Sequence, residues 1–366
     1  MNIIVFLVIL VVLILVHEFG HFLVAKWAKI RVDEFGIGFP PRLFGRKFNG
    51  TLYSVNALPL GGFVKIFGED PDESSTNGPD RNKSFVHKPK LVQAAVLVAG
   101  IAGNIALAWF LLSVGFIAGM PTAVEDASGR TLTEVHLAAT SILPNSPAEI
   151  GGLKLGDTLL KLQTESAAVT LVKAGDVSTF VIAHPDEALR VTVLRQGVEQ
   201  VLTLHSKKGV ISSEPAVPAI GVAIGEIGTL QLSVPQALLE GAKTTVHLTE
   251  ATVTGIYSFL QKIFIGQGNF SEVTGPIGIV GMVGDASTFG FIYLLSFAAL
   301  ISINLAVINL LPFPSLDGGR LLFVVIEAIK GSAIRPVIAN TLNTVGFALL
   351  ILLMLAVTYH DVIRLF

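Results

Sequence analysis

Four stretches of this chain are apolar over roughly the 20 residues that a helix needs to cross a bilayer, and no other feature limits its fold as much. Ile3 to Val16 is wholly apolar, and the run continues through Phe22 to Ala25. Leu91–Met120 carries only Gln93, Asn104 and Ser113 as polar side chains. Phe291–Phe313 contains Ser296, Ser302, Asn304 and Asn309 but no charge, and Leu342–Thr358 is the last run. Backbone groups in hydrocarbon must bond to one another, so runs of this kind become helices. Composition agrees, since 14% of the 366 residues are charged against about 25% in soluble proteins. The first run has no basic residue ahead of it and no small-residue cleavage site behind it, so it is expected to be a retained span rather than a secretion signal. In the second, Ala99 with Gly103 and Ala102 with Ala106 are small residues four apart, which lets one face approach another helix closely.

Two classes of function fall away at once. A formal net charge of −2 gives no basic face for nucleic acid. The absence of cysteine removes disulfides, thiolate metal sites and cysteine nucleophiles together, so any metal must be held by His, Asp or Glu.

Lys and Arg cluster on the cytoplasmic side of membrane proteins. Residues 26–90 hold 11 of the 25, starting with Lys26, Lys29 and Arg31 directly after the first span, whereas the much longer 121–290 holds 10. The expected topology places both termini and 121–290 outside, and 26–90 in the cytoplasm. The domain plan that follows is 1–27, 28–90 with a β-element near 48–67, 91–120, 125–210, a connector 211–290, 291–319 and 342–360.

Between the second and third spans the texture changes. Ser178–Ala183, Ala188–Arg195 and Val198–His205 read as strands, the last two joined at Gln196-Gly197. Leu143-Pro-Asn-Ser-Pro-Ala-Glu-Ile-Gly-Gly-Leu-Lys-Leu-Gly-Asp157 resembles the segment of bacterial-protease PDZ domains that runs from the peptide-binding strand through a short helix to a Gly-Asp turn. Such a groove binds an extended peptide as an added strand, often through its free C-terminus; a small β-domain that only covers a membrane site is the alternative. Across 235–265, Leu238, Ala242, Val246, Thr249, Val253, Tyr257, Leu260 and Phe264 recur at helical steps opposite Glu240, Lys243, His247, Glu250 and Ser258, as in an amphipathic helix lying on a membrane or a neighbour.

The chemistry concentrates in His17-Glu18-Phe19-Gly20-His21, inside the first span. Residues i and i+4 share a helix face, so both imidazoles can reach one ion and the intervening carboxylate can reach its water. Zinc suits two imidazoles, a carboxylate and one open position. Placing Glu18 in a bilayer costs on the order of 2.5–3.5 kcal/mol, which a purely structural cluster would have to justify. A third ligand is available at Asp317, the only carboxylate between Asp285 and Glu327. It follows Asn309-Leu-Leu-Pro312-Phe-Pro314-Ser-Leu, where prolines break the helix and Gly318-Gly319 let the backbone turn.

His-Glu-x-x-His in the first span, Asn-x-x-Pro-x-Pro-x-x-Asp-Gly-Gly in the third and a PDZ-like segment between them together resemble the site-2 protease family (peptidase family M50). Within it, the chain is similar to the bacterial regulator-of-sigma-E type, with one PDZ module where the best-known members carry two. The resemblance implies a zinc metalloendopeptidase of regulated intramembrane proteolysis, acting on single-pass transmembrane substrates. An anti-sigma factor, a signal-peptide remnant and another membrane regulator fit equally. It maps the zinc ligands onto His17, His21 and Asp317, the general base onto Glu18 and a substrate-contacting amide onto Asn309, beside Pro312. It also implies that Gly61, Gly62 and Phe63, in a β-element dipping into the membrane, hold substrate along a free strand edge; an ordinary cytoplasmic hairpin is the alternative there. The expected fold is a polytopic α-helical membrane protein of four transmembrane helices, with a membrane-associated β-element and an inserted extracytoplasmic PDZ-like β-domain. Two rivals stand beside it. One is a membrane-tethered PDZ scaffold with a vestigial metal site, which would not require Glu18. The other is a transporter, which the lack of any internal repeat disfavours.

Overall fold

The computed structural model describes residues 2–70, 73–127, 129–185, 187–195, 197–211, 214–266 and 274–363. Gln196 of the anticipated turn and the side chain of Phe264 lie outside this description; Gly197 has the positive φ of 78° expected in such a turn. The chain divides into two compact units, one of residues 1–114, 235–287 and 294–366, the other of residues 115–234 and 288–293.

The first unit opens with α1 (Asn2–Trp27), followed by β1 (Val32–Phe48), β2 (Thr51–Ile66), a short α2 (Glu73–Asn77) and α3 (Lys90–Ala118). The β-element is thus longer than the 48–67 expected from sequence, because β1 already begins at Val32. Leu58-Pro-Leu-Gly-Gly62 lies within the second strand and folds it across the first. Residues 51–56 pair antiparallel with 42–48, from Phe48↔Thr51 to Arg42↔Asn56. Glu34–Ile37 lies between Leu52–Val55, with numbers rising together, and Gly62–Lys65, running opposite. The crossover is made at Leu58, paired with Phe39, and at Gly61, whose φ of 146° suits glycine. Two edges result, 42–48 and 62–66.

The second unit carries β3 (Met120–Ala123), β4 (Thr133–Ile142), α4 (Pro147–Ile150), β5 (Thr158–Gln163), β6 (Ala168–Thr170), α5 (Ala174–Ala183), β7 (Ala188–Arg195), β8 (Val198–His205) and β9 (Val222–Leu230). They form a seven-stranded sheet in the order β3-β9-β4-β5-β7-β8, with β6 on β5. β7 and β8 have the bounds read from sequence. Ser178–Ala183 does not: it is the second half of a helix. The Asp176 carboxylate accepts the Lys173 and Val172 N–H groups (2.8 and 2.9 Å), capping the first turn, and Val177, Phe180 and Val181 bury at i, i+3 and i+4. A strand would have turned half of those side chains outward. β9 also lies in the sheet rather than in the connector assigned to 211–290. Its core is filled by Leu162, Leu189, Val191, Val193 and Leu204. Asp157, at the end of the Gly-Asp turn, is buried against Arg195 with Nη2 2.6 Å from Oδ2.

The chain then runs through α6 (Val234–Phe264), α7 (Pro276–Phe289), α8 (Phe291–Leu310), α9 (Asp317–Lys330) and α10 (Pro336–Ile363). Among the described residues four helices, α1, α3, α8 and α10, are long and apolar enough to cross a membrane. The third span therefore stops at Leu310 rather than at 319, and Asp317 opens a new helix. On α6 it is the small face, Ala237, Gly241 and Thr245, that is buried, while Leu239, Val246, Val253 and Tyr257 are exposed. Val246, Val253 and Tyr257 of the apolar stripe thus face away from the rest of the chain. Within this unit Trp109 of α3 donates to the Leu238 carbonyl (2.8 Å), and Thr252 donates to Asn304 of α8 (3.2 Å).

Candidate metal centre

His17 and His21 sit one turn apart on α1 and are both buried, 6% and 7% exposed. Their rings stand edge to face with centroids 4.7 Å apart and their Nε2 atoms 3.1 Å apart. The α1 face that carries them is pressed onto α3, where a Cβ on Gly20 would lie 2.2 Å from the Ala99 carbonyl oxygen. Only glycine permits this crossing.

Asp317 arrives from the other end of the sequence. After Leu310 the main chain makes two tight turns, with Phe313 N–H donating to Leu311 (2.7 Å) and Leu316 N–H to Phe313 (3.1 Å). Ser315 takes a positive φ of 81°, and its N–H donates to Asn343 of α10 (3.2 Å). α9 then starts so close to the end of α8 that a Cβ on Gly318 would lie 2.3 Å from the carbonyl oxygens of both Leu310 and Leu311. This foldback delivers Asp317 Oδ2 to within 2.9 Å of His17 Nε2 and 3.3 Å of His21 Nε2. Further along the first turn of α9, Arg320 pairs with Glu69 and, at 3.2 Å, with Asp70, tying that turn to the end of β2. Burial pushes the Glu69 carboxyl above its ordinary range, with the Arg320 charge acting against that shift.

The donor set fits a zinc ion. One ligand atom from each of His17, His21 and Asp317 lies within 4.8 Å of the others, and two imidazoles with a carboxylate match the ligand set of catalytic zinc. A second observation agrees. Asp317 Oδ2 is buried with no hydrogen-bond donor despite its two close nitrogens. His21 Nδ1–H donates to the Val96 carbonyl (2.8 Å), which in the neutral imidazole leaves the lone pair on Nε2. Converging lone pairs repel unless a cation lies among them, which is how metal ligands are arranged.

Glu18 is half-buried, and its Oε2 accepts the Val64 N–H of the 62–66 edge at 3.0 Å. Gly61 and Gly62 back that edge against α1, where a Cβ on each would meet Ile14 at 3.3 Å and Leu15 at 3.2 Å. Phe63 is half-buried and stacked on Phe39. Asn309 is half-buried in the last turn of α8, and its amide makes no hydrogen bond among the described residues; Pro312 is exposed in the turn beyond. The sequence thus pointed to the three-residue cluster and to Glu18. It missed the hydrogen bond that joins Glu18 to the strand edge, which no pattern in residues 58–66 announces.

The match to known proteins is as extended as the geometry. The family model for peptidase family M50 matches residues 5–353. A Clostridium acetobutylicum protein carrying a zinc metalloprotease name is 33% identical over 362 residues, covering 99% of this chain and 97% of its own. The zinc metalloprotease RasP of Geobacillus kaustophilus is 31% identical, with 100% and 98% covered, and RasP of Oceanobacillus iheyensis is 29% identical, with 100% and 99% covered. End-to-end similarity of this kind, on a chain of membrane-length helices, places the protein in the M50 family as a zinc metalloendopeptidase of the site-2 protease type.

Proposed function

We propose that this enzyme hydrolyses peptide bonds within transmembrane segments of membrane-anchored proteins, with His17, His21 and Asp317 holding the zinc and Glu18 as the general base. The observation that carries the reading is the meeting of His17, in the first membrane-length helix, and Asp317, in the foldback after the third, at 2.9 Å. When bound, zinc polarises a scissile carbonyl and acidifies a water molecule. Glu18 takes the proton of the attacking water and returns it to the leaving amine. A helical substrate has to be opened first, and backbone groups freed in hydrocarbon need new partners. The Asn309 amide offers a donor and an acceptor. The edge at Gly61, Gly62 and Phe63 offers main-chain groups to an extended segment. The exposed Phe39, Leu43, Phe44 and Phe48 of the same β-element are consistent with contact with lipid.

The reading includes the topology argued from the basic residues, with 26–90 cytoplasmic, 121–290 outside and the site toward the cytoplasmic half. It treats the second unit as PDZ-like. There a cavity of about 600 Å³ between α5 and Ile220–Ile224 offers an apolar groove for a peptide C-terminus.

The test uses purified full-length protein and a model single-pass substrate, incubated with and without a chelator. Cleavage inside the substrate's span that is lost with chelator, restored by zinc and abolished in Glu18→Gln supports the reading. Cleavage only outside the span, or near-normal turnover in Glu18→Gln, contradicts it.

A further inference from the structure

We propose that one stripe of α3, Val96–Gly100–Asn104, is the seat that fixes both imidazoles, with Gly100 and Asn104 as positioning residues for the metal. The inference rests on His17 and His21 being the ligands, and the experiment below separates the two statements.

Residues four apart share a helix face, so 96, 100 and 104 on α3 repeat the spacing of 17 and 21 on α1. Each position does something different. The Val96 carbonyl accepts His21 Nδ1–H at 2.8 Å, using its second lone pair beside the helical bond. That contact selects the tautomer in which Nε2 is free to bind. At Gly100, an added Cβ would lie 2.3 Å from His21 Nε2, 2.7 Å from Cε1 and 2.8 Å from Cδ2. Three ring atoms below 3.0 Å mean that the imidazole lies directly against the glycine backbone. No side chain can be placed there without moving the ring.

Asn104 is 0% exposed and faces His17, with its amide nitrogen 3.4 Å from Nδ1. Its Oδ1 is buried without a partner. A histidine that offers Nε2 to a metal carries its proton on Nδ1, and that N–H requires an acceptor. The two ends of an amide are interchangeable by a half-turn. With the oxygen toward the ring, Asn104 accepts the His17 Nδ1–H, and its own orphaned oxygen gains a donor. The same turn of α3 is braced from α8, where the buried Ser302 hydroxyl donates to the Asn104 carbonyl at 2.8 Å.

Zinc affinity, measured by chelator competition on the full-length protein, and the visible spectrum of the cobalt-loaded form test this without reference to proteolysis. Asn104→Leu is expected to weaken zinc binding by about 10- to 100-fold, the range for the partners of ligating histidines. Asn104→Asp, which keeps only acceptor atoms, should bind within a few-fold of wild type or more tightly. Gly100→Ala should lose at least as much as Asn104→Leu and shift the cobalt bands. Gly103→Ala is the control: its Cβ would lie 3.0 Å from the Val16 carbonyl, with neither ring among its nearest atoms, so affinity should fall far less than in Gly100→Ala. If Asn104→Leu does not fold, Asn104→Ala is read in its place. Wild-type affinity in Asn104→Leu overturns the proposal, as does an Asn104→Asp loss equal to that of Leu, or equal losses in Gly103→Ala and Gly100→Ala. His17→Ala and His21→Ala calibrate the series. Retention of zinc in both removes the ligand assignment, whereas loss there with wild-type affinity in Asn104→Leu removes the seat alone.

Discussion

In the seven-stranded domain the interior is built of large aliphatic side chains, Leu162, Leu189, Val191, Val193 and Leu204, all nearly inaccessible. Where α1 crosses α3, and where α9 folds back toward α8, the contacts are made instead at Gly20, Gly318 and Gly319, with main-chain atoms facing one another, and at Gly100, against the His21 ring. The difference follows from the solvent. In water, each fully buried Leu or Val contributes about 1.5–3 kcal/mol, so bulk is an advantage. In lipid, the surroundings are as apolar as leucine, and close backbone approach and polar contacts must do the work. The same closeness gives the metal centre its precision, because two histidines and an aspartate can converge only if their helices nearly touch.

This contrast can be broken most severely at Gly318. Gly318→Val sets a branched side chain against the Leu310 and Leu311 carbonyls and should displace Asp317, abolishing zinc retention and proteolysis together. Hydrogen exchange in β7 and β8 should be unaffected. Zinc content near wild type in that variant would show that the foldback tolerates bulk.

The converse variant is Leu189→Ala. It leaves a cavity in the seven-stranded domain and should destabilise that domain by about 2–5 kcal/mol, seen as faster exchange in β7, while zinc content is retained. Loss of zinc would mean that the metal centre depends on that core.

Asn309→Ala should leave zinc in place and slow cleavage of a helical substrate about tenfold, which corresponds to one hydrogen bond of about 1.4 kcal/mol. A Gly or Pro near the scissile bond should restore part of the rate, because less helix then has to be opened. An equal fractional loss on helical and helix-broken substrates would return Asn309 to a packing role.

The smallest effect is expected at Asp176. The Lys173 and Val172 N–H groups hold its carboxyl below the ordinary range. A depressed folded-state value means that its stabilisation is present above the unfolded pKa, near 4, and fades as pH falls through the folded one. Protection of the first turn of α5 should therefore decline in acid in the wild type and be low and pH-independent in Asp176→Asn. An unchanged acid decline in the variant would assign the protection to another group.

The surrounding solvent also decides what could be read from sequence. Hydrocarbon leaves helices as the only economical answer to a long apolar run, so α1, α3, α8 and α10 were plain in outline. His17, Glu18, His21 and Asp317 stood out because polar groups are so few there. In the water-facing domain the rules compete. Ser178–Ala183 carries β-branched and aromatic residues that suit a strand, yet the Asp176 cap and the burial of Val177, Phe180 and Val181 make it helix. β9 was hidden by Gly225 and Gly228, which weaken a strand pattern; a Cβ on Gly225 would lie 2.9 Å from Thr140, and one on Gly228 would lie 2.7 Å from Leu132. The doubled pairing of Glu34–Ile37 and the seat on α3 depend on contacts between distant segments, which local periodicity does not encode.

The central claim is that His17, His21 and Asp317, brought together from the first helix and the foldback after the third span, hold one zinc that Glu18 serves without binding it. Metal analysis of the purified full-length protein addresses this directly, alongside Asp317→Ala and Glu18→Gln. About one zinc per chain in the wild type and in Glu18→Gln, with almost none in Asp317→Ala, is the predicted result. Full zinc occupancy in Asp317→Ala would contradict it.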